Sequence, residues 1–347
     1  MFLGVQLGDL ISKRKVSLSD LSGKSVAIDA YNALYQFLSI IRGVDGKHLM
    51  DKEGRVTSHL SGLLYRTANL VEIGIRPAYV FDGKPPTLKE AEIKRRMKAK
   101  EEALVKYEEA LRRGKLEEAR MYAQATAKLK DYMIEDSKRL LSLMGIPWVQ
   151  APSEGEAQAS YLASKGDVWA ASSQDYDSLL FGAPRLVRNI TITGRRKLPR
   201  KNVYIEVEPE IVELEQVLRE LGIDRVQLIF LGILIGTDFN PDGVAGVGPK
   251  TALSLVKKYG GIREIIKELR IEEQFPVDPE RIVRIFIRPE VTDNYRIQWK
   301  MPDVDGIVGF LCGERAFSEV RVRKALEKMV VGFREAEGKS TLEKWFT

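Results

Sequence analysis

Cysteine is all but missing from this 347-residue chain: Cys312 stands alone, so no intramolecular disulfide can form. Histidine is nearly as scarce, with His48 and His59 alone, and the two counts together exclude a zinc cluster built from the usual sulfur and nitrogen ligands. Long apolar runs are missing too. The longest, LIFLGILIG at 228–236, is far too short to span a bilayer, and the opening MFLGVQLGDLISKRK carries no small-residue cleavage site. The expectation is a soluble intracellular protein with no membrane partner, in which any metal is held by oxygen.

What is present is a core and a great deal of charge. Hydrophobic residues make up 44% of the chain, enough for roughly two domains or one elaborated domain. Lys and Arg number 55 against 49 Asp and Glu, a net +6 that suits a polyanionic partner and equally suits a solvated surface. Placement separates the two. From Lys84 to Lys130, 14 Lys or Arg face 8 Glu, a difference of +6 that equals the net charge of the whole chain. From Lys84 to Lys100 the imbalance sharpens to seven basic residues against two glutamates. The later part, with alternating EE and RR blocks, reads as a solvated helix with i,i+4 pairs. The earlier part, which includes Arg95, has poorly compensated positive charge and reads as a helix facing phosphates. GRRKLPRK at 194–201 is a second basic cluster, read as a loop.

Apolar strands alternate with helical patterns. SVAID (25–29), PAYVF (77–81), IPWVQ (146–150) and DVWAAS (167–172) read as short strands. After the first, AYNALYQFLSIIR sets Leu34, Leu38 and Ile41 on one helix face; after the third, APSEGEAQASYLAS opens a helix with a proline and a serine cap. This order predicts an α/β fold with a mostly parallel central sheet flanked by helices, binding ligands beyond the carboxyl ends of its strands. Acids sit at those ends: Asp29, Asp82, the pair Glu154 and Glu156, and the pair Asp175 and Asp177 in SSQDYDSLLFG. Asp238 follows the apolar run at 228–236.

Each acid has an ordinary explanation by itself. Ser172 with Asp175 spells a capping box, as does Ser153 with Glu156, and Asp238 could cap a turn. None of these explains why the acids share the strand ends. Such a cluster repels itself unless cations neutralise it or some members take up protons. All-oxygen ligation suits magnesium or manganese. Two such ions, roughly 3.5–4 Å apart, clamp the attacking and leaving oxygens of an in-line displacement at phosphorus.

Further on, GVAGVGPKTALSLVKKYGG (243–261) places Gly243, Gly246 and Gly248 ahead of Pro249, Lys250 and a helix. Such a turn lets the backbone approach a phosphate while helix-start amides point at it and Lys250 adds charge. A tight turn between packed helices needs the same glycines, but not Lys250, Lys257 and Lys258. Past Gly332 the chain turns polar (FREAEGKS) before an apolar tip, TLEKWFT.

Taken in order, VAIDAYNALYQFL, YVFDGKPPTLK, APSEGEAQAS, SSQDYDSLLFG and LIGTDFNPDGVAGVGPKTA resemble the successive motifs of the flap endonucleases, the archaeal ones in particular, from about Gly4 to Phe346. The resemblance implies a structure-specific nuclease that removes 5′ flaps, with 5′–3′ exonuclease activity, in Okazaki-fragment maturation and base excision repair. It implies two Mg2+ ions, with Mn2+ able to substitute. Asp175 and Asp177 would chiefly hold one ion, and Asp29, Asp82, Glu154 and Glu156 the other, with Asp238 behind the second. Lys89 and Arg96 match the family's basic pair that steers and polarises the scissile phosphate. They are seven residues apart, and so on one helical face. Tyr35 matches an aromatic that stacks on the base at the cleavage position, with a core aromatic on an amphipathic helix as the lesser alternative.

The segment 84–135 would be the helical arch that passes single-stranded flap, and apolar residues around Leu49 to Leu60 the wedge against the duplex end. The turn with Gly246, Gly248 and Lys250 resembles a helix-two-turn-helix that grips duplex backbone and holds a potassium ion through carbonyls. Arg95 would join the DNA contacts. Leu342, Trp345 and Phe346, at i, i+3 and i+4, match a sliding-clamp peptide, with Lys339 where glutamine is usual; a tail packed on its own domain is the alternative. Phe2 and Leu3 precede Gly4 where the family's first glycine follows Met.

The expected organisation is a single nuclease domain over 1–331: an N-terminal part (1–83), the arch (84–135), an internal part (136–240), and the helix-two-turn-helix with a C-terminal helical region (241–331). A flexible tail (332–347) follows. A monomer is expected, in the cytoplasm at the nucleoid of a prokaryote, or in the nucleus of a eukaryote. Two other functions stay open: a related nuclease acting on bubbles or duplex 5′ ends, and a catalytically silent, clamp-bound DNA-binding adaptor with no need of the acids.

Overall fold

Period-two burial builds the sheet. In β2 (Ser25–Asp29) and β3 (Arg76–Phe81), Val26, Ile28, Tyr79 and Phe81 pack into one core, while Ala27 and Val80 pack into another on the opposite face. Strands buried on both sides are what a parallel sheet requires. The computed structural model describes residues 5–43, 46–115, 118, 121–122, 126, 128–192, 194–197, 204–275 and 277–343. Its main sheet adds β1 (Arg14–Lys15), β4 (Trp148–Gln150), β5 (Ala170–Ser172), β6 (Arg185–Arg188) and β9 (Glu210–Glu213), while β7 (Gly194–Lys197) and β8 (Tyr204–Val207) form a separate antiparallel hairpin. The basic cluster read as a loop thus begins as strand β7, and its remainder lies outside the described residues.

The order in the seven-stranded sheet is β1-β9-β6-β5-β2-β3-β4. Strands β6, β5, β2, β3 and β4 run parallel, with β9 antiparallel to β6 and β1 antiparallel to β9. The chain steps from β2 outward to β3 and β4, then returns to β5 on the other side of β2. That reversal opens a crevice at the strands' carboxyl ends, the place where open α/β sheets bind ligands.

On one face, α1 (Ala30–Ile40), α2 (Ser58–Glu72), α4 (Asp131–Leu143) and α13 (Glu319–Glu343) bring Leu34, Phe37, Leu64, Leu140 and Met329 into the first core. The basic helix α3 (Glu90–Arg112) leaves from the loop after β3. On the other face, α5 (Gly155–Lys165) lays Ala159 and Leu162 on Ala27 and Val80. Beyond it, α6 (Asp177–Leu180), α7 (Leu214–Leu221), α8 (Arg225–Ile235), α9 (Pro249–Tyr259), α10 (Ile262–Leu269) and α11 (Pro279–Ile287) share an apolar core around Leu180, Leu228, Leu231 and Phe286. Helix α12 (Val304–Val308) precedes α13.

The break expected at residue 332 falls inside an element. Helix α13 runs to Glu343, and a Cβ at Gly332 would lie 2.1 Å from the Val71 carbonyl oxygen of α2, with Phe333 buried beside it. A polar stretch reads as a tether, but a helix needs only one apolar seam to dock. Among the described residues no helix is long and apolar enough to cross a membrane.

Candidate active site

Strands β5, β2, β3 and β4 are neighbours, and each delivers an acid to the same edge. Asp29 ends β2, Asp82 follows β3 directly, Asp175 lies three residues past β5, and Glu154 lies between β4 and α5. Asp29 caps α1, accepting from the Asn32 N–H at 2.9 Å. Asp82 accepts from the Gly155 N–H at 2.6 Å, at the start of α5, where free amides favour negative charge. That close approach requires glycine, since a Cβ on residue 155 would lie 2.6 Å from Asp82 Oδ1. Glu156 turns towards α6 and accepts from the Ser178 N–H (3.0 Å) and hydroxyl (2.6 Å). Asp177, the first residue of α6, accepts from the Val5 N–H at 2.8 Å.

Neither capping box forms. Helix α6 starts at Asp177 with no side-chain cap, and the Asp175 N–H donates to Ser173 Oγ at 3.2 Å. The residue before α5 is Glu154, again with no side-chain cap. The turn after α8 is tied by Thr237 and Asn240, through Thr237 Oγ1 to Asn240 Oδ1 (2.7 Å) and Asn240 Nδ2 to the Ile233 carbonyl (2.7 Å). Asp175, Glu156 and Asp238 are therefore released from local duties.

Asp238 meets the two cations instead. Lys89, ending the 3-10 turn Thr87–Lys89, forms ion pairs with Glu154 and with Asp238 (3.0 Å). Arg96 donates to Asp238 at 2.7 Å and to Glu92 at 2.9 Å. Arg95 points elsewhere, to Asp242 at 2.9 Å, in the turn ahead of Gly243.

Burial, and after it the crowding of like charge, raises the proton affinity of every acid but Asp238. Burial, then the charge of Asp29, pushes Asp82 up to about 7. Burial, then Asp238, pushes Asp177 up to about 7, and burial pushes Asp29 up to about 6. Glu156 and Asp175 lie well above the usual carboxylate range, through burial and then Asp177. Glu154 is raised by burial although Lys89 pulls it down. Asp238 goes the other way: burial would raise it, but Lys89 and Arg96 hold it low. In return, Lys89 stays protonated despite its burial because Glu154 and Asp238 flank it.

The acids outnumber Lys89 and Arg96 by seven to two, so more positive charge is needed than the protein supplies here. Among the described residues no three carboxylates converge closely enough to cage an ion unaided. The donors are all oxygens, and Asp29, Asp82, Glu156 and Asp175 are partly exposed. This fits a hard divalent cation that keeps several of its waters.

The remaining expected residues fall outside the acid cluster. Tyr35 lies on α1 near Leu38 and Met133, with Lys100 Nζ 4.4 Å above its ring. In the glycine turn, Gly243 has φ +57° and a Cβ there would lie 2.6 Å from the Ile235 carbonyl carbon. Gly246 has φ +77°, whereas Gly248, the N-cap of α9, has φ −85° and open space where a Cβ would be. Lys250 is exposed. Trp345, Phe346 and the side chains of Lys339 and Leu342 lie outside the described residues. Sequence reasoning missed Val5, Gly155, Ser178 and Glu92; of these only Glu92, four residues before Arg96, carried a legible signal.

Acids gathered at the ends of a parallel sheet, faced by Lys89 from the 3-10 turn and Arg96 from the basic helix, are the donor set that metal-assisted phosphodiester hydrolysis calls for. The XPG N-terminal domain family matches residues 3–103 and the XPG I-region family residues 145–238. The chain is 56% identical over 351 residues to flap endonuclease 1 of Staphylothermus marinus, covering 99% of this chain and 100% of the relative. Its structure is similar to flap endonuclease-1 from Methanococcus jannaschii (TM-score 0.74, 47% identity, 95% of this chain and 100% of that one). It is also similar to the catalytic core of Rad2 in complex with DNA substrate (TM-score 0.67, 26% identity, 91% and 96% covered). This chain belongs to the flap endonuclease family.

Proposed function

We propose that this protein is a structure-specific 5′ flap endonuclease that hydrolyses a DNA phosphodiester near the flap-duplex junction. The observation that carries the reading is the placement of acids at four adjacent strand ends beside Lys89 and Arg96, with Glu154 and Asp238 in direct contact with these cations. Two magnesium ions bound there, or manganese in their place, would supply Lewis acidity to the attacking water and to the leaving oxygen. Asp175 and Asp177 are assigned to one ion, and Asp29, Asp82, Glu154 and Glu156 to the other. Lys89 and Arg96, held charged by their acid neighbours, are a preformed pair for which a scissile phosphate competes with Asp238. Tyr35, once clear of Lys100, offers its ring to the adjacent base.

Duplex backbone is assigned to Gly246, Gly248, Lys250 and Arg95. Contacts of this kind position DNA without reading its sequence. Potassium at this turn rests on the family resemblance. Exposed Ile40, Leu49 and Met50 offer an apolar surface to the end of a duplex. Leu342, Trp345 and Phe346, near the C-terminus, are assigned to a sliding clamp, with the protein acting as a monomer during replication and repair. A silent DNA-binding adaptor would have no need of the acid cluster.

The test is a labelled 5′-flap duplex with magnesium or with chelator. Cleavage at the junction in magnesium alone is expected; an intact flap would defeat the enzyme reading, and preference for closed bubbles would point to the related nuclease. Deletion after Gly338 should abolish clamp-dependent stimulation and spare basal cleavage, whereas unchanged stimulation would remove the clamp from the proposal.

A further inference from the structure

A cavity of about 620 Å3 adjoins the acid cluster, sharing Glu154 with it. One wall is the start of the arch, from Lys84 to Leu88; the other is α11 and the residue that caps its end, which line it with Arg281, Arg284 and the C-cap Arg288. Positions i, i+3 and i+7 share one helix face, and the opposite face buries Ile282, Val283 and Phe286. The three arginines are exposed. Among the described residues none of them, nor Lys84, forms an ion pair, and Glu280 is taken by Arg263 at 3.0 Å. The lining's acids are Glu154, already paired with Lys89, and Glu290.

Solvated arginines that complete a helix dipole would account for Arg284 and Arg288 near the helix's end. They would not account for Arg281, which sits in the first turn of α11, where a cation is unfavourable. The walls are preformed. Pro85, Pro86, Pro152 and Pro289 stiffen them, and the Gly83 N–H to Ser153 carbonyl (2.6 Å) and Lys84 N–H to Pro152 carbonyl (3.2 Å) bonds join the two loops. A duplex can graze such a concavity, but a single strand can enter it.

Resting on the flap-endonuclease reading, we propose that Lys84, Arg281, Arg284 and Arg288 form a phosphate-binding site for the single-stranded 5′ flap beside the base of the arch. The geometry assigns to them backbone phosphates next to the one held by Lys89 and Arg96. Recognition is by charge, and so is independent of flap sequence.

The test compares wild type with the R281A/R284A/R288A variant by fluorescence anisotropy in chelator, on a duplex with a long 5′ flap and on a nicked duplex without one, across salt concentrations. Flap-substrate affinity should fall roughly tenfold, and the slope of log K against log salt should become shallower by about 2, at about 0.7 per lost single-strand contact. Binding to the nicked duplex should not change. Equal losses on both substrates would put the arginines on duplex and overturn the proposal, as would an unaltered flap slope. Arg281→Ala alone should show a smaller shift of the same kind, and circular dichroism confirms that the variants fold. Wild-type cleavage, measured alongside, separates the two readings: an uncleaved flap would sink the enzyme assignment and leave the binding comparison standing.

Discussion

Asp177 holds the Val5 amide while sitting, buried, among like charges. Asp177→Asn keeps the acceptor and removes the charge. Flap binding should be preserved, the melting temperature without metal should hold or rise as a buried like charge is removed, and cleavage in magnesium should fall by about 1,000-fold; near-normal turnover would remove Asp177 from the mechanism. Asp177→Ala should lose cleavage as well, and in addition about 1–3 kcal/mol of stability through the unpaired amide. His59 supplies a separate pH test. Its ring is fully buried, both nitrogens lack partners, and burial, then Arg315 and His48, pushes its pKa down to about 3. Unfolded histidine titrates near 6.5, so below that pH the unfolded chain takes a proton that the folded one refuses. Stability is therefore complete above about pH 6.5 and drains as pH falls towards 3, by roughly 3 kcal/mol at pH 4. Urea melts of wild type and His59→Leu should diverge in acid, and parallel curves would refute the assignment. At this scale the acids were legible because residue type and strand position expose their chemistry, whereas Lys89 and Arg96 stood out only through the family resemblance. Val5 and Gly155 were not, since their partners lie 172 and 73 residues away.

Among the elements, the glycine turn separates packing from binding. Gly243→Ala would force a Cβ against the backbone of 234–236 at a positive φ, and should cost on the order of 2–3 kcal/mol, read as a lowered melting point. Gly248→Ala meets nothing and has an ordinary φ. Its stability should change by less than about 0.5 kcal/mol while duplex affinity drops; unimpaired duplex binding would mean that the missing side chain makes no room for phosphate. From the sequence the turn was visible, but not which glycine did which work. The Ser153–Glu156 box failed because a distant donor, Ser178, holds Glu156, and the Ser172–Asp175 box failed because the helix starts later, at Asp177. Helix α13 outran its expected end because Gly332 fits closely on α2, a contact between elements that composition does not express.

For the whole molecule, excess negative charge at one end of the sheet links folding to cations. Magnesium should raise the thermal midpoint, worth roughly 2.7 kcal/mol at 100 times its dissociation constant, while sodium at matched ionic strength should not. The Asp29→Asn/Asp175→Asn pair should blunt the response, and a midpoint indifferent to magnesium would argue against the site as a cation cluster. Alternating apolar strands and helices determined the α/β class and the parallel sheet by themselves, because hydrophobic period is a local property that sets which faces are buried. They also placed the acids after the strands. Only the tertiary structure decided that β5, β2, β3 and β4 lie side by side, that Lys89 and Arg96 close on Asp238, and that α11 and its C-cap turn three arginines towards Lys84. Strand order and helix docking come from contacts between segments far apart in the chain, and their energy lies in complementary surfaces that no single stretch of residues contains.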